Sequence, residues 1–124
     1  DFWMPFSPSV TKGNEDKYFI IKNKKAHKFM ETAVDTTELG IEKIKAAIHP
    51  YDNTARPQIV DKKLNPLFHS IITEFGNLTG LPVLLNTSLN LHGYPIVNNA
   101  DDLIFVLKNS KLDGCIFENR IILR

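Results

Sequence analysis

The sequence contains little cysteine and no long apolar run. Because Cys115 is the one cysteine, the chain cannot form an intrachain disulfide or a metal site built from several cysteines. The apolar neighbours of this residue predict that its thiol is buried as a small hydrophobic group. No apolar stretch approaches the roughly 18 residues of a membrane-spanning helix, and no signal peptide is recognisable. We therefore expect a cytoplasmic protein without a membrane partner.

The sequence also has no large excess of positive or negative charge, and it has no glycine-rich phosphate-binding loop. The 15 Lys and Arg residues nearly balance the 14 Asp and Glu residues, for a net charge of +1, so nucleic acid is not an expected partner. Neither GxxxxGK(S/T) nor GxGxxG occurs. The side chains of His27, His69 and His92 have no partners at ligand spacing, so no metal site is predicted.

The composition that remains is that of an ordinary globular domain. The 124 residues are 43% hydrophobic and 23% charged, which predicts a single domain over residues 1–124. The opening segment has no initiator methionine and carries Phe2 and Trp3, which need a packing surface. We interpret it as the start of a fragment of a longer chain whose upstream packing partner has been removed, and we expect Phe2 and Trp3 to be partly exposed or to pack on a neighbour.

Apolar residues at helical spacing predict three helices. They cover residues 24–35, the stretch from Pro66 to Gly80, and the segment after Asn99. Asn65 and Pro66 form a favourable helix start, and Gly80 supplies the stop. Residues 36–49 allow two interpretations, a loop followed by a strand that ends at His49 or a longer helix.

Short apolar runs predict four strands, over residues 18–21, 82–85, 113–117 and 120–123. The last two are separated by two residues and read as an antiparallel hairpin. Helix, strand, loop, helix and hairpin in this order predict a mixed sheet with helices packed on it, an α/β or α+β fold.

A polar loop, Asn86-Thr-Ser-Leu-Asn90, follows the apolar strand over 82–85. Ligands of α/β sheets gather beyond the carboxyl ends of strands, and small amide and hydroxyl groups there can donate to a phosphate or a carbonyl. The alternative is a loop whose Asn and Ser side chains satisfy its own backbone.

A second polar stretch runs from His49 to Gln58. The planar guanidinium of Arg56 matches two phosphate oxygens at once. Asp52 could position a hydroxyl or a metal-bound water, or it could fix Arg56 through a salt bridge. A plain turn built by Asp52, Asn53 and Thr54 is the alternative, with a structural role for His49.

Taken in order, these motifs resemble one family. They are His-x-x-Asp-x-Thr-x-Arg-x-Gln from His49, Asn-Pro at 65–66, Thr-Gly-x-Pro-Val-Leu-Leu-Asn-Thr-Ser-x-Asn over 79–90 and Gly-x-Pro-Ile-Val over 93–97. The pattern resembles the C-terminal domain of O-carbamoyltransferases, which include nodulation-factor, cephem and tobramycin carbamoyltransferases. The opening Met4-Pro-Phe-Ser-Pro-Ser-Val10 is similar to the Pro-Phe-Ala-Pro-Ser-Val of that family.

The resemblance implies a YrdC-like fold, a twisted mixed sheet that activates a carbonyl unit with ATP. Carbamoyl phosphate and ATP, accompanied by magnesium, would give an enzyme-held carbamoyladenylate. A larger N-terminal ASKHA/Kae1-like domain of the same chain, carrying iron and absent from this sequence, would pass the carbamoyl group to a hydroxyl acceptor.

The resemblance also implies roles for particular residues. Arg56 would neutralise phosphate oxygens, and Ser88 and Asn90 match the Ser-x-Asn pair that contacts phosphate and nucleotide. Asn86 and Thr87 would shape the same pocket. For His49 and Asp52 the implied role is catalytic support on the carbamoyl side.

Three departures from the family pattern qualify these roles. Leu89 replaces the usual Phe, and Tyr94 replaces a common Glu. The Lys-x-Arg pair of the family would lie just upstream of Phe2, so we expect the fragment to fold but not to form the adenylate. A YrdC-like nucleotide- or RNA-binding module without carbamoyl chemistry is the alternative function, and a purely structural docking domain is a third.

Overall fold

A computed structural model describes residues 6–23, 27–117 and 120–124 of the chain. In chain order its elements are β1 (Ser7–Thr11), α1 (Glu15–Tyr18), β2 (Phe19–Ile20), β3 (Val34–Thr36), α2 (Glu38–Lys43), a 3₁₀ helix (Lys45–Ala47), β4 (Thr54–Ala55), β5 (Gln58–Val60), α3 (Pro66–Thr79), β6 (Val83–Asn86), α4 (Ala100–Asn109), β7 (Gly114–Phe117) and β8 (Arg120–Leu123). This mixture of helices and small sheets confirms the predicted α+β class. The chain divides into two compact units, one ending at Thr87 and the other spanning residues 88–124.

Strand β1 is the middle strand of a three-stranded sheet in the first unit, in the order β5-β1-β6. Strand β5 runs parallel to β1, with Ser9 opposite Gln58. Strand β6 runs antiparallel on the other side, with Ser7 opposite Asn86. Because strand side chains alternate between faces, Ser7 and Ser9 share one face with Gln58 and Asn86. This face, which we call the polar face, is absent from the sequence prediction, because β1 itself was not predicted.

The opposite face of the same sheet is apolar and contributes to a core that includes the second sheet. That second sheet has the order β2-β3-β4, all antiparallel. The buried residues of the core come from both sheets and from the segment around the 3₁₀ helix: Val10, Tyr18, Phe19, Ile44, Ile48, Ala55, Ile59 and Val83. Burial of this shared apolar surface fixes the two sheets of the first unit against each other.

Helix α3 begins and ends where the sequence predicts. The Asn65 side chain accepts a hydrogen bond from the Phe68 amide, and Gly80 adopts a left-handed conformation with φ of 77°. The helix packs against β1 and β6, and Ile72 is completely buried. The predicted apolar stripe is only partly covered, since Leu67 and Leu78 are exposed.

The second unit contains α4 and the hairpin of β7 and β8. As predicted, Asn99 caps α4 by accepting from the Asp102 amide, and Leu103 and Val106 are buried. The hairpin pairs Cys115 with Ile122. Cys115 is half-buried rather than buried, because a two-stranded sheet whose second strand is exposed along its length covers its residues only partly.

The predicted helix over residues 24–35 is wrong from His27 onward, and residues 24–26 lie outside the described residues. Residues 27–33 form bends without helical hydrogen bonding, Met30 has a φ of 62°, and Val34 begins β3. The backbone carbonyl of His27 instead accepts a hydrogen bond from the Ile59 amide. Pairing with residues far along the chain has therefore overridden a local helical spacing.

The ambiguous stretch 36–49 begins with the last residue of β3, Thr36, and then contains two short helical pieces, without the predicted strand that ends at His49. Thr37 caps the start of α2, because its hydroxyl accepts from the Gly40 amide, and the 3₁₀ helix follows α2. The predicted strand over 18–21 is shorter than expected, because Tyr18 ends α1 and only Phe19–Ile20 pairs. The segment with Phe2 and Trp3 lies outside the described residues.

Candidate functional site

Arg56 lies where the chain passes from one sheet to the other. Strand β4 ends at Ala55 and β5 begins at Gln58, so Arg56 and Pro57 are the connection. The proline disfavours helical backbone at Arg56 and keeps the connection extended. Arg56 is exposed, and its guanidinium makes no hydrogen bond or ion pair within the described ranges. A free cationic fork is thus available to an anion from solution.

Ser7 joins Arg56 to the start of the polar loop. The Ser7 hydroxyl donates a hydrogen bond to the Arg56 carbonyl, and Ser7 is the register partner of Asn86. Arg56 and Asn86 therefore lie on either side of β1 at one end of the sheet. This end is the carboxyl end of β6 but the amino end of β1 and β5.

Three polar side chains form a hydrogen-bonded row on the polar face. The Gln58 carboxamide oxygen accepts from the Ser9 hydroxyl at 2.9 Å and from the Asn86 amide at 3.1 Å. The other contact of the Asn86 amide is the Met30 sulfur, at 3.8 Å. Ser9 is 0% exposed, whereas Gln58 and Asn86 are half-buried. The buried Ser9 therefore holds the row in place, while the side chains of Gln58 and Asn86 remain partly accessible to solvent.

His49 and Asp52 belong to a tight turn that precedes β4. One Asp52 carboxylate oxygen accepts from the Thr54 amide at 3.0 Å and from the Thr54 hydroxyl at 2.8 Å. These two bonds from Thr54 lower the pKa of Asp52 below its usual range. Asn53 has a φ of 57°, a left-handed conformation that asparagine tolerates. Asp52 therefore stabilises the turn, and it bonds Thr54 rather than Arg56.

The His49 imidazole has two competing partners at the same nitrogen. Its Nδ1 lies 3.3 Å from the Tyr51 amide and 3.3 Å from the Asp52 carboxylate. A neutral ring with its proton on Nε2 accepts from Tyr51, whereas a ring with a proton on Nδ1 donates to Asp52. Both arrangements orient the ring, so His49 is positioned by the turn in either protonation state.

The loop after β6 is connected within itself. Thr87 and Ser88 are exposed. The Ser88 hydroxyl donates to the Asn90 carboxamide oxygen at 2.6 Å. The Asn90 amide group donates to the carbonyls of Leu91 and Tyr94, at 3.2 and 2.8 Å. Within the second unit, Ser88 and Asn90 thus form the internally bonded loop that the sequence allowed as an alternative, and the Ser88 oxygen stays accessible.

The opposite end of the three-stranded sheet carries a different charged pair. Lys12 contacts Asp61 at 2.6 Å, just beyond the last residues of β1 and β5. The Lys12 ammonium, with the Lys63 amide, lowers the pKa of Asp61, and Asp61 in turn raises the pKa of Lys12. The charge of Lys12 is thereby paired with a carboxylate, in contrast to the charge of Arg56.

Sequence reasoning missed Ser7 and Ser9 and did not assign a role to Gln58. The alternation of Ser7, Pro8, Ser9 and Val10 was the available signal for a strand with one polar face. Across the described ranges, no three His, Cys, Asp or Glu side chains are grouped as a metal ion would require. No helix there combines the length and the hydrophobicity needed to cross a bilayer.

Comparison with known proteins identifies the family. The family model described as carbamoyltransferase C-terminus matches residues 1–124. An uncharacterized protein of Methanocaldococcus jannaschii is 37% identical over 121 residues, covering 98% of this chain and 23% of that protein. The nodulation protein NolO of Bradyrhizobium diazoefficiens is 34% identical over 115 residues, covering 92% of this chain and 21% of NolO.

A third relative is named for its reaction. The 3'-hydroxymethylcephem-O-carbamoyltransferase of Streptomyces clavuligerus is 39% identical over 61 residues, covering 49% of this chain and 12% of that enzyme. The chain spans less than a quarter of the length of these three relatives. The whole-length match to the family model confirms the resemblance seen in the sequence: the chain belongs to the carbamoyltransferase C-terminal domain family.

Proposed function

We propose that this chain activates a carbamoyl group with ATP as part of an O-carbamoyltransferase that acts on a hydroxyl acceptor. Membership of the carbamoyltransferase family supports the carbamoyl chemistry. ATP binding is supported by the position of Arg56 and Asn86 on either side of Ser7. Within the described ranges the Arg56 guanidinium has no hydrogen bond or ion pair, so it is available to a phosphate.

The proposed reaction joins a carbamoyl oxygen to the α-phosphorus of ATP. Carbamoyl phosphate first loses its phosphate to water, which leaves a carbamate. A carbamate oxygen then bonds to the α-phosphorus while the bond from that phosphorus to the β-phosphate oxygen breaks, and pyrophosphate leaves. The product is carbamoyladenylate. Attack of an acceptor hydroxyl on its carbonyl carbon releases AMP and gives the carbamate ester.

Such a phosphoryl-centre reaction asks the protein mainly to position and neutralise negative charge. Arg56 is suited to this role because its guanidinium is permanently charged and can bind two phosphate oxygens in one plane. Its carbonyl is fastened to Ser7, so its backbone is fixed before a ligand arrives. The exposed hydroxyl of Ser88 would donate to the nucleotide in place of its bond to Asn90. Asn86, Thr87 and Asn90 would shape the loop that carries it, because the NH₂ groups of Asn86 and Asn90 are already used in internal bonds.

His49 and Asp52 would support the carbamoyl side of the reaction through the turn that they stabilise. Magnesium would accompany ATP as its usual counterion and would supply charge neutralisation of the phosphates. The transfer to the hydroxyl would use the N-terminal domain and its iron, which lie outside this sequence.

The test is pyrophosphate release from ATP by the full-length enzyme, measured with and without carbamoyl phosphate. Arg56→Ala should lower kcat/KM for ATP by about 10- to 100-fold, the range expected for a charged hydrogen bond worth about 1.5–3 kcal/mol. The melting temperature should change little, because Arg56 is exposed. Arg56→Lys should recover only part of the loss, because an ammonium lacks the planar fork.

Lys62→Ala is the matched control. It removes one exposed cation beyond the opposite end of β5 and should leave kcat/KM unchanged. Equal losses in the Arg56 and Lys62 variants would mean that only net charge matters, and this result would contradict a specific phosphate site. Pyrophosphate release that does not depend on carbamoyl phosphate, together with strongly salt-dependent tRNA binding, would favour a nucleotide- or RNA-binding module instead.

A further inference from the structure

The polar face of the three-stranded sheet leaves two hydrogen-bonding groups unused at adjoining positions. The Gln58 oxygen is occupied twice, by Ser9 and by Asn86. The Gln58 NH₂ group has no partner within the described ranges. The Asn86 NH₂ group is occupied by Gln58 and Met30, whereas the Asn86 oxygen makes no hydrogen bond there.

The Gln58–Asn86 pair therefore offers a ligand one hydrogen-bond donor, the Gln58 NH₂, and one acceptor, the Asn86 oxygen. If both carboxamides were turned over, Gln58 would offer its oxygen and Asn86 its NH₂ group, so the pair still presents one donor and one acceptor. Both side chains are half-buried, which leaves the unused groups within reach of a small ligand.

The small side chains of the middle strand make the pair possible. Gln58 and Asn86 lie on strands two sheet spacings apart, or about 10 Å. They meet at 3.1 Å because only the short side chains of Ser7 and Ser9 lie between them on that face. Ser9 is completely buried, and its hydroxyl fixes the Gln58 carboxamide. The amide pair is thus oriented before a ligand binds.

A carbamoyl group has the complementary pattern, since its carbonyl oxygen accepts and its NH₂ donates. We propose that Gln58 and Asn86 form the subsite for the carbamoyl group, with the Gln58 NH₂ donating to its carbonyl oxygen and the Asn86 oxygen accepting from its NH₂. This proposal rests on the proposed function and assigns one end of the substrate to one pair of side chains. Arg56 lies two positions before Gln58, which is consistent with a phosphate bound next to the carbamoyl group.

The subsite predicts discrimination against acyl groups that lack the NH₂. Acetyl phosphate has the same carbonyl and phosphate but carries a methyl group in place of the NH₂. It would leave the Asn86 oxygen unpaired, and sites that bond a polar group reject analogues without it strongly. For the full-length enzyme we expect kcat/KM for pyrophosphate release to be at least about 100-fold higher with carbamoyl phosphate than with acetyl phosphate.

Two variants of Gln58 test the donor. Gln58→Glu preserves both internal hydrogen bonds and replaces the free NH₂ with a charged oxygen. Gln58→Met removes the NH₂ without adding charge, although it also removes the oxygen that accepts from Ser9 and Asn86. Each should raise KM for carbamoyl phosphate by about 10-fold or more, the loss expected for one hydrogen bond of about 1.5 kcal/mol, and should change KM for ATP less than about twofold. Thr11→Val, on the same face of β1 at its far end, is the control and should change neither KM.

Asn86→Leu tests the acceptor. It should lower the preference for carbamoyl phosphate over acetyl phosphate by about 10-fold or more, because the methyl group of acetyl phosphate no longer faces an unpaired oxygen.

Several results would overturn the subsite and leave the proposed function intact. They are a wild-type enzyme that uses acetyl phosphate as well as carbamoyl phosphate, Gln58 variants that raise KM for ATP as much as KM for carbamoyl phosphate, and Gln58 variants that change neither. A wild-type enzyme without any carbamoyl-phosphate-dependent pyrophosphate release would overturn the proposed function itself. The wild-type comparison needs no variant, so it decides the matter even if a substitution prevents folding.

Discussion

The Ser7 hydroxyl donates a hydrogen bond to the Arg56 carbonyl, and this bond joins two residues 49 positions apart. The bond holds the connection between β4 and β5, which links the two sheets of the first unit, against the start of β1. Arg56 therefore has a backbone position that is determined from a strand far away in the sequence, while its guanidinium remains exposed.

Removal of this bond should destabilise the first unit. Ser7→Ala leaves the Arg56 carbonyl without its partner and should lower the free energy of unfolding by about 1 kcal/mol. Denaturant titration measures the change. Ser70→Ala is the control, because the Ser70 hydroxyl also donates to a backbone carbonyl, that of Pro66, but on the exposed side of α3. It should cost less than about 0.5 kcal/mol, and equal losses in the two variants would show that the Ser7 bond is not special.

The buried imidazole of His27 should be a source of instability. His27 is 2% exposed, and its Nδ1 has no hydrogen-bond partner within the described ranges. Because an unpaired buried polar atom costs about 1–3 kcal/mol, His27→Leu should raise the free energy of unfolding or leave it unchanged. His92→Leu, at an exposed position, should stay within about 0.5 kcal/mol of the wild type. A loss above about 1 kcal/mol in His27→Leu would reveal a partner for the ring.

Acid should weaken the turn at His49. The bonds from Thr54 hold the pKa of Asp52 below its unfolded value, which is near 3.8. A carboxyl whose pKa is depressed by folding contributes stability that is fully present above the unfolded pKa and is lost as pH falls through the folded pKa. The urea midpoint should therefore be independent of Asp52 above about pH 5 and decline below about pH 4.

Asp52→Asn should make this acid decline shallower, as measured from urea midpoints between about pH 2.5 and 7. Thr54→Val removes the hydroxyl donor but not the amide donor, so it should retain part of the slope. Asp61 contributes a decline of its own because its pKa is also lowered. An unchanged slope in Asp52→Asn would mean that the turn does not couple to the charge of Asp52.

The exposed hydroxyl of Ser88 should matter for activity more than for stability. Ser88→Ala in the full-length enzyme should lower kcat/KM for carbamoyladenylate formation by about 10-fold or more, since a hydrogen bond to a charged phosphate is worth about 1.5–3 kcal/mol. The melting temperature should barely move, because Ser88 is exposed. Thr87→Val, the exposed neighbour, is the comparison. A large fall in melting temperature for Ser88→Ala would instead assign Ser88 to loop stability through Asn90.

The helices with clear end signals could be predicted from the sequence. Asn65 with Pro66, Gly80 and Asn99 are short-range signals, because each cap bonds a backbone group three or four residues away. Their positions follow from local physics alone. The hairpin of β7 and β8 was predictable for the same reason.

The elements that depend on distant partners could not be predicted in this way. Ala26, Phe29 and Met30 have helical spacing, yet Phe29 is 69% exposed and the neighbouring His27 carbonyl bonds the amide of Ile59. Strand β1 was missed because its partners, β5 and β6, follow much later in the sequence. The candidate site was predicted in part: motifs indicated Arg56 and Asn86, but Ser7 as the residue between them emerges only from the sheet register.

The position of β1 between two late partners has a consequence for the order of folding. Its parallel partner is made 49 residues after it, and its antiparallel partner β6 is made later still. During synthesis, both edges of β1 lack a partner until β5 has emerged, and the edge that pairs with β6 stays unpaired until Asn86 has emerged. Such non-local pairing is slow, so we expect this sheet to limit the folding rate and to be the place where an incomplete chain associates with another copy.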